Sequence, residues 1–153
     1  YFALPMARAG AAVTAVEKNP ESFRYLGENA ANNAVLDRME LVLGDCRDVE
    51  ATADRVVMGY YDAVEPAGDG ARDGGADAAD GRSYLDAAFD AVVSGGTLHV
   101  HATEPADDPW SRPVARLEAV AAAHGRDVTV LERREVKSHS EGVSHVVVDV
   151  RVD

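Results

Sequence analysis

The chain has 153 residues, enough to bury roughly two-thirds of its unfolded surface around one core, and no apolar run approaches the roughly 20 residues that span a bilayer. Its 27 acids against 15 bases give a formal net charge of -12, and Lys18 and Lys137 are the only lysines. A single cysteine, Cys46, excludes an internal disulfide and a thiolate metal cluster.

The acids are scattered through the chain rather than gathered in a tail, so the charge reads as the hydrated carboxylate shell of a halophilic protein rather than as an acidic interaction surface. The expectation is a soluble, cytoplasmic protein with no membrane partner, its residues 1–153 forming one domain. Residues 1–10 read as a helix that ends at Gly10. Residues 12–16, Ala-Val-Thr-Ala-Val, read as a buried strand with Glu17 directly after it. A carboxylate at that point can accept hydrogen bonds from both ribose hydroxyls of an adenosine-containing ligand. Pro20 suits the first turn of a helix over 20–33. The next strand, 40–43, closes on Gly44-Asp45, which puts a second acid, Asp45, near the expected adenine. Taken singly, Glu17 also reads as a plain strand end and Asp45 as a turn residue. One crossover apart, the two favour a nucleotide, and Cys46 beside them reads as a wall residue rather than a nucleophile.

A strand over 55–58 follows, then a Gly-, Ala- and Asp-rich stretch at 61–81 with too little apolar surface to fold alone, expected to be an acidic surface insertion. Ser83 is the expected N-cap of a helix through Val93, with Leu85, Ala88, Phe89 and Val92 on one face and Gly95-Gly96 as its stop. A strand over 97–101 ends at His101, and a helix over 112–124 ends at Gly125. Segments 127–137 and 142–152 are long strands joined by so short a polar turn that they must be antiparallel. The expected fold class is α/β: a Rossmann-like, mostly parallel sheet finished by an antiparallel hairpin, the architecture of class I methyltransferases rather than of ordinary dehydrogenases.

These residues resemble the archaeal and eukaryotic enzymes that modify guanosine 37 of tRNA with S-adenosylmethionine: the tRNA (guanine-37-N1) methyltransferases and the wybutosine-synthesis aminocarboxypropyltransferases. The resemblance covers the chain apart from 61–81. It implies a strand and glycine-rich turn just before Tyr1, hence a truncated catalytic domain. It also implies an upstream tRNA-gripping domain, and poor cofactor binding with no tRNA modification by these 153 residues alone. It implies further that Glu17 holds the cofactor ribose, that Lys18 and Asn19 shape the turn beside it, that Asp45 bonds the adenine amino group and that Cys46 lies against the ring. Met58-Gly59-Tyr60 stands where the methyltransferase branch carries Asn-Leu-Pro, and resembles the aminocarboxypropyltransferase branch. Asparagine can orient a target base through its amide; methionine and glycine offer shape and backbone groups only.

His99-Val-His101, Arg112-Pro113 and the closing run from Gly142 to Asp149 resemble the same family. Alternate strand residues share a face, so His99 and His101 could ligate a metal, but no third ligand can be placed and none is expected. His101 is read as a substrate contact and His99 as core. Tyr60 reads either as a contact to the target base or as an aromatic cover for the crevice. The expected reaction is transfer of the 3-amino-3-carboxypropyl group from S-adenosylmethionine to the wyosine precursor in the tRNA anticodon region, with Tyr60 and His101 at the reacting end and Met58 beside the cofactor. No general base is assigned. The alternatives are N1 methylation of guanosine 37, an NAD-linked dehydrogenase, which also places an acid after its second strand, and a non-catalytic RNA-binding module, for which the chain shows no basic stripe.

Overall fold

Residues 2–60, 64 and 82–153 are described by a computed structural model, and they fall into two units, Tyr1–Ala51 and Thr52–Asp153. The expected insertion at 61–81 lies outside the described residues except for Val64, which is buried.

In the first unit a short helix α1 (Ala3–Arg8) leads into strand β1 (Val13–Glu17), helix α2 (Pro20–Asn32) and strand β2 (Met39–Leu43). The side chain of Asn19 accepts the backbone N–H groups of Glu21 and Ser22 at 2.9 and 3.1 Å, satisfying two donors that the first helical turn leaves open. Ala34, just past the helix end, takes φ 53°, a position usually given to glycine. Strands β1 and β2 pair in parallel from Val13↔Met39 to Glu17↔Leu43. Their inward residues Val13 and Met39 pack with Ala7, Ala30 and Val35 in a small apolar cluster.

The second unit contains β3 (Ala53–Met58), α3 (Tyr84–Ala91), β4 (Val92–Pro105), α4 (Ser111–Ala123), β5 (Val128–Ser140) and β6 (Val143–Val152). The sheet order is β3-β4-β6-β5, with β3 parallel to β4 and the remaining pairs antiparallel. The expected terminal hairpin is present, turning at Glu141-Gly142 with Gly142 at φ 71°, and its second strand inserts between β4 and β5. That position explains the unbroken run Val146-Val147-Val148: a central strand is covered on both faces and needs no polar alternation. Edge strand β5 is exposed along nearly its whole length, and Glu132, Arg133, Arg134 and Glu135 with three register shifts make it a poor template for further pairing.

One face of the sheet, Leu98, Val100 and Ala102 of β4 with Val146, Val148, Val150 and Val152 of β6, is packed under Leu85 and Phe89 of α3 and Leu117 and Val120 of α4. Ser83 caps α3 as expected, in a reciprocal box in which its Oγ accepts the Asp86 N–H while an Asp86 carboxylate oxygen accepts the Ser83 N–H at 2.8 Å. The glycine pair does not stop that helix. α3 ends at Ala91, β4 starts at Val92, and Gly95-Gly96 lies inside β4 where its register against β3 shifts. A Cβ on Gly96 would stand 2.7 Å from the Val92 side chain, 2.9 Å from the Val93 carbonyl and 3.0 Å from the Asp54 carbonyl, so crowding from its own strand together with the neighbouring β3 requires the glycine. Strand β4 also runs four residues beyond the expected end at His101, because β6 continues to pair with it up to Pro105↔Val143.

Candidate functional site

Parallel strands align their carboxyl ends, and in the first unit this brings the two predicted acids to one edge. Glu17 pairs with Leu43, and the Gly44 N–H donates to the Glu17 carbonyl at 3.1 Å, so the chain leaves both strands at the same level. Glu17 is the last residue of β1 rather than the first after it. Its carboxylate is half-buried, and Oε1 accepts the Asn19 N–H at 2.8 Å, which folds the turn back over the strand end. The charge of Lys18, itself exposed, reaches Asp45 and Cys46. Glu17, Lys18, Asp45 and Cys46 are therefore neighbours on the two turns that follow β1 and β2.

Asp45 caps a short 3-10 turn, Cys46–Asp48. Its Oδ1 accepts both the backbone N–H and the Nε–H of Arg47 at 3.0 Å, and its Oδ2 accepts an Nη2–H at 2.8 Å. Those hydrogen bonds from Arg47 hold the Asp45 carboxyl below its ordinary value, outweighing the opposing effect of burial. Cys46 is exposed, and its thiol is pushed up, first by loss of solvation beside the turn and then by the Asp45 carboxylate, so it is a protonated thiol at neutral pH and a weak nucleophile. Arg47 is a partner that the sequence reading did not single out. A basic residue two places after the acid was its available signal.

In the second unit β3 ends at Met58, level with Val100 of β4. Met58 is 9% exposed and fills the core among Leu98, Val100 and Phe89, which leaves Gly59 and Tyr60 as the residues presented beyond the strand end. Tyr60 is 40% exposed and its ring meets that of Tyr84, in the first turn of α3, at 5.1 Å and 59°, the tilted arrangement aromatic quadrupoles favour. Tyr84 was not anticipated.

His101 follows Val100 directly, one residue past the level where β3 stops. It is 7% exposed, more buried than His99, and its Nδ1 shares a 2.9 Å hydrogen bond with Nε2 of His145 on β6. Burial lowers both imidazoles below the ordinary histidine value, and His145 lowers His101 further, so both rings are neutral at pH 7 and one donates to the lone pair of the other. His99 Nδ1 lies 2.7 Å from an Asp149 carboxylate oxygen, and the other Asp149 oxygen accepts from Arg134 at 3.0 Å. Among the described residues no group of three or more His, Cys, Asp or Glu side chains is arranged to hold a metal, and no helix is long and apolar enough to cross a membrane.

Residues 1–75 match the family described as the TRM5/TYW2 methyltransferase domain. The whole chain is 33% identical to the tRNA(Phe) (4-demethylwyosine(37)-C(7)) aminocarboxypropyltransferase of Methanocaldococcus jannaschii, of which it covers 56%. It aligns over its full length with the crystal structure of M. jannaschii TYW2 in complex with AdoMet, at a TM-score of 0.81, 31% identity and 64% coverage of that chain. The P. horikoshii TYW2 structure in complex with MeSAdo gives 0.81 at 32% identity, covering 97% of this chain and 51% of that one. Trm5b of Pyrococcus abyssi gives a TM-score of 0.83 at 27% identity, over 99% of this chain and 41% of that chain. The chain spans about half the length of the curated relatives it matches. With these neighbours the α/β architecture is that of the class I methyltransferase fold.

Proposed function

Because the chain belongs to the TRM5/TYW2 methyltransferase domain family, we propose that it forms the S-adenosylmethionine-binding part of a tRNA-modifying transferase, which moves the 3-amino-3-carboxypropyl group to the wyosine precursor at position 37, in the anticodon region. The observation that carries the choice of group is Met58-Gly59-Tyr60 at the carboxyl end of β3. No asparagine amide stands there to orient a guanine for methylation. The identities favour the same branch: 33% and 32% to two aminocarboxypropyltransferases against 26% to Trm5b.

The residues of the first unit fit the cofactor. Glu17 keeps Oε2 without a hydrogen-bond partner among the described residues, at the strand end where ribose hydroxyls need an acceptor. Asp45, held ionised by Arg47, accepts the adenine amino group, and Cys46 as a neutral thiol offers an uncharged surface to the ring. S-adenosylmethionine held by these residues would supply an electrophilic γ-carbon on its sulfonium; transfer to the base carbon would release methylthioadenosine, and the proton displaced from that carbon would pass to solvent. The part of the second unit is positional. Tyr60, backed by Tyr84, presents an aromatic face on which the target base can lie, and the neutral His101, fixed by His145, borders the same strand end. We read the protein as cytoplasmic and adapted to high salt, a reading supported by its net charge of -12 and two lysines.

The test is the nucleoside by-product released when the full-length enzyme that contains this chain acts on its tRNA. Methylthioadenosine is expected; S-adenosylhomocysteine in its place would sink the aminocarboxypropyl assignment and restore methylation.

A further inference from the structure

Asp45 is not a bare acceptor waiting at a strand end. A carboxylate offers about four lone-pair positions, and three are engaged here: the Arg47 backbone N–H and Nε–H on Oδ1, and Nη2–H on Oδ2. Among the described residues one position, on Oδ2, remains. The guanidinium that fills the others is itself only 11% exposed, against 21% for the Asp45 side chain, so of the two partners the carboxylate is the more open to a ligand. Swinging it aside would break two charge-assisted bonds and strand a largely buried cation.

We propose that Arg47 is a positioning residue: it locks the plane of the Asp45 carboxylate so that a single lone pair on Oδ2 faces the ligand, and thereby makes this turn selective for 6-aminopurine nucleosides over their 6-oxo counterparts. The proposal rests on the reading of Glu17 and Asp45 as an adenosine site. An amino group presents an N–H to that lone pair, whereas a 6-oxo group turns its own oxygen toward a fixed anion that cannot rotate away. The lowered carboxyl of Asp45 is consistent with an acceptor that never becomes a donor at neutral pH. A surface ion pair of the usual kind would do none of this, since neither partner would be held in one geometry.

The experiment compares binding of 5′-methylthioadenosine and 5′-methylthioinosine by calorimetry in the protein and in R47A, R47K and D45N. The unaltered protein is expected to prefer the amino ligand by about 10- to 100-fold, the range for one hydrogen bond to a charged acceptor. R47A should bring that preference to about threefold or less, and R47K, which keeps the charge without the fork, should lie between. Equal weakening of both ligands in R47A with the preference intact would make Arg47 merely structural, and tighter binding by R47A would make it a competitor of the ligand; either overturns the proposal. If D45N keeps the preference, or the unaltered protein shows none, the adenosine site itself is misread, and the proposal goes with it. Should R47A fail to fold, the ratio measured in R47K decides the question alone.

Discussion

Replacing Glu17 by alanine isolates the acceptor at the end of β1. The carboxylate already gives Oε1 to the Asn19 N–H at 2.8 Å, so one of its two oxygens is shared and the other is available to a ligand hydroxyl. One full hydrogen bond to a charged acceptor and one weaker, shared bond together amount to about 3 kcal/mol, on the order of 100-fold in Kd. Glu17→Gln can keep the Asn19 contact and loses mainly charge, so about tenfold is expected. Calorimetry with S-adenosylmethionine and its 2′-deoxy counterpart turns this into a cycle. Deleting the hydroxyl should weaken binding clearly in the unaltered protein and hardly at all in Glu17→Ala, because the two changes remove the same interaction. If Glu17→Ala bound within about threefold of the unaltered protein at an unchanged thermal midpoint, or the 2′-deoxy penalty were the same in both, Glu17 would not be the ribose acceptor.

Two further outcomes follow from the second unit. The folded pKa values of His101 and His145 lie below the ordinary 6.5, so the unfolded chain binds more protons in that range; stability should be full above about pH 6.5 and decline as pH falls through the folded values. Urea midpoints at about pH 7.5 and 5.5 check this, and His145→Gln should shrink the difference between them; an unchanged difference would mean that other groups set the acid limb. Gly96→Ala should cost about 1–3 kcal/mol in chemical denaturation, because its Cβ would sit 2.7 Å from the Val92 side chain and 2.9 Å from the Val93 carbonyl. A neutral effect would show that the start of β4 relaxes around the added methyl without penalty.

Much of the fold was legible because its signals are local. Asn19, Pro20, Ser83 and Gly142 act within a turn of their own position, and the helices and strands they bound stand within a few residues of where pattern alone puts them. The errors are of one kind. Gly95-Gly96 resembles a helix stop, yet it lies inside β4, where Val92 and Val93 of its own strand and the Asp54 carbonyl of β3 crowd the place of a Cβ on Gly96. His101 resembles a strand end, yet β4 continues because β6 pairs beyond it.

Sequence by itself determined the α/β alternation, the antiparallel sense of the last two strands, and two acids each closing a parallel strand, since periodicity, capping and turn length are set by neighbours along the chain. Only the tertiary structure decided that β6 lies between β4 and β5, that Met58 turns into the core while Tyr60 meets Tyr84, and that His101 is paired with His145. It also decided that Arg47 occupies all but one of the acceptor positions of Asp45. Hydrophobic burial is non-directional and says only that Val146 to Val150 must be covered; which strand covers them, and which polar groups are then forced together, is a property of the assembled sheet.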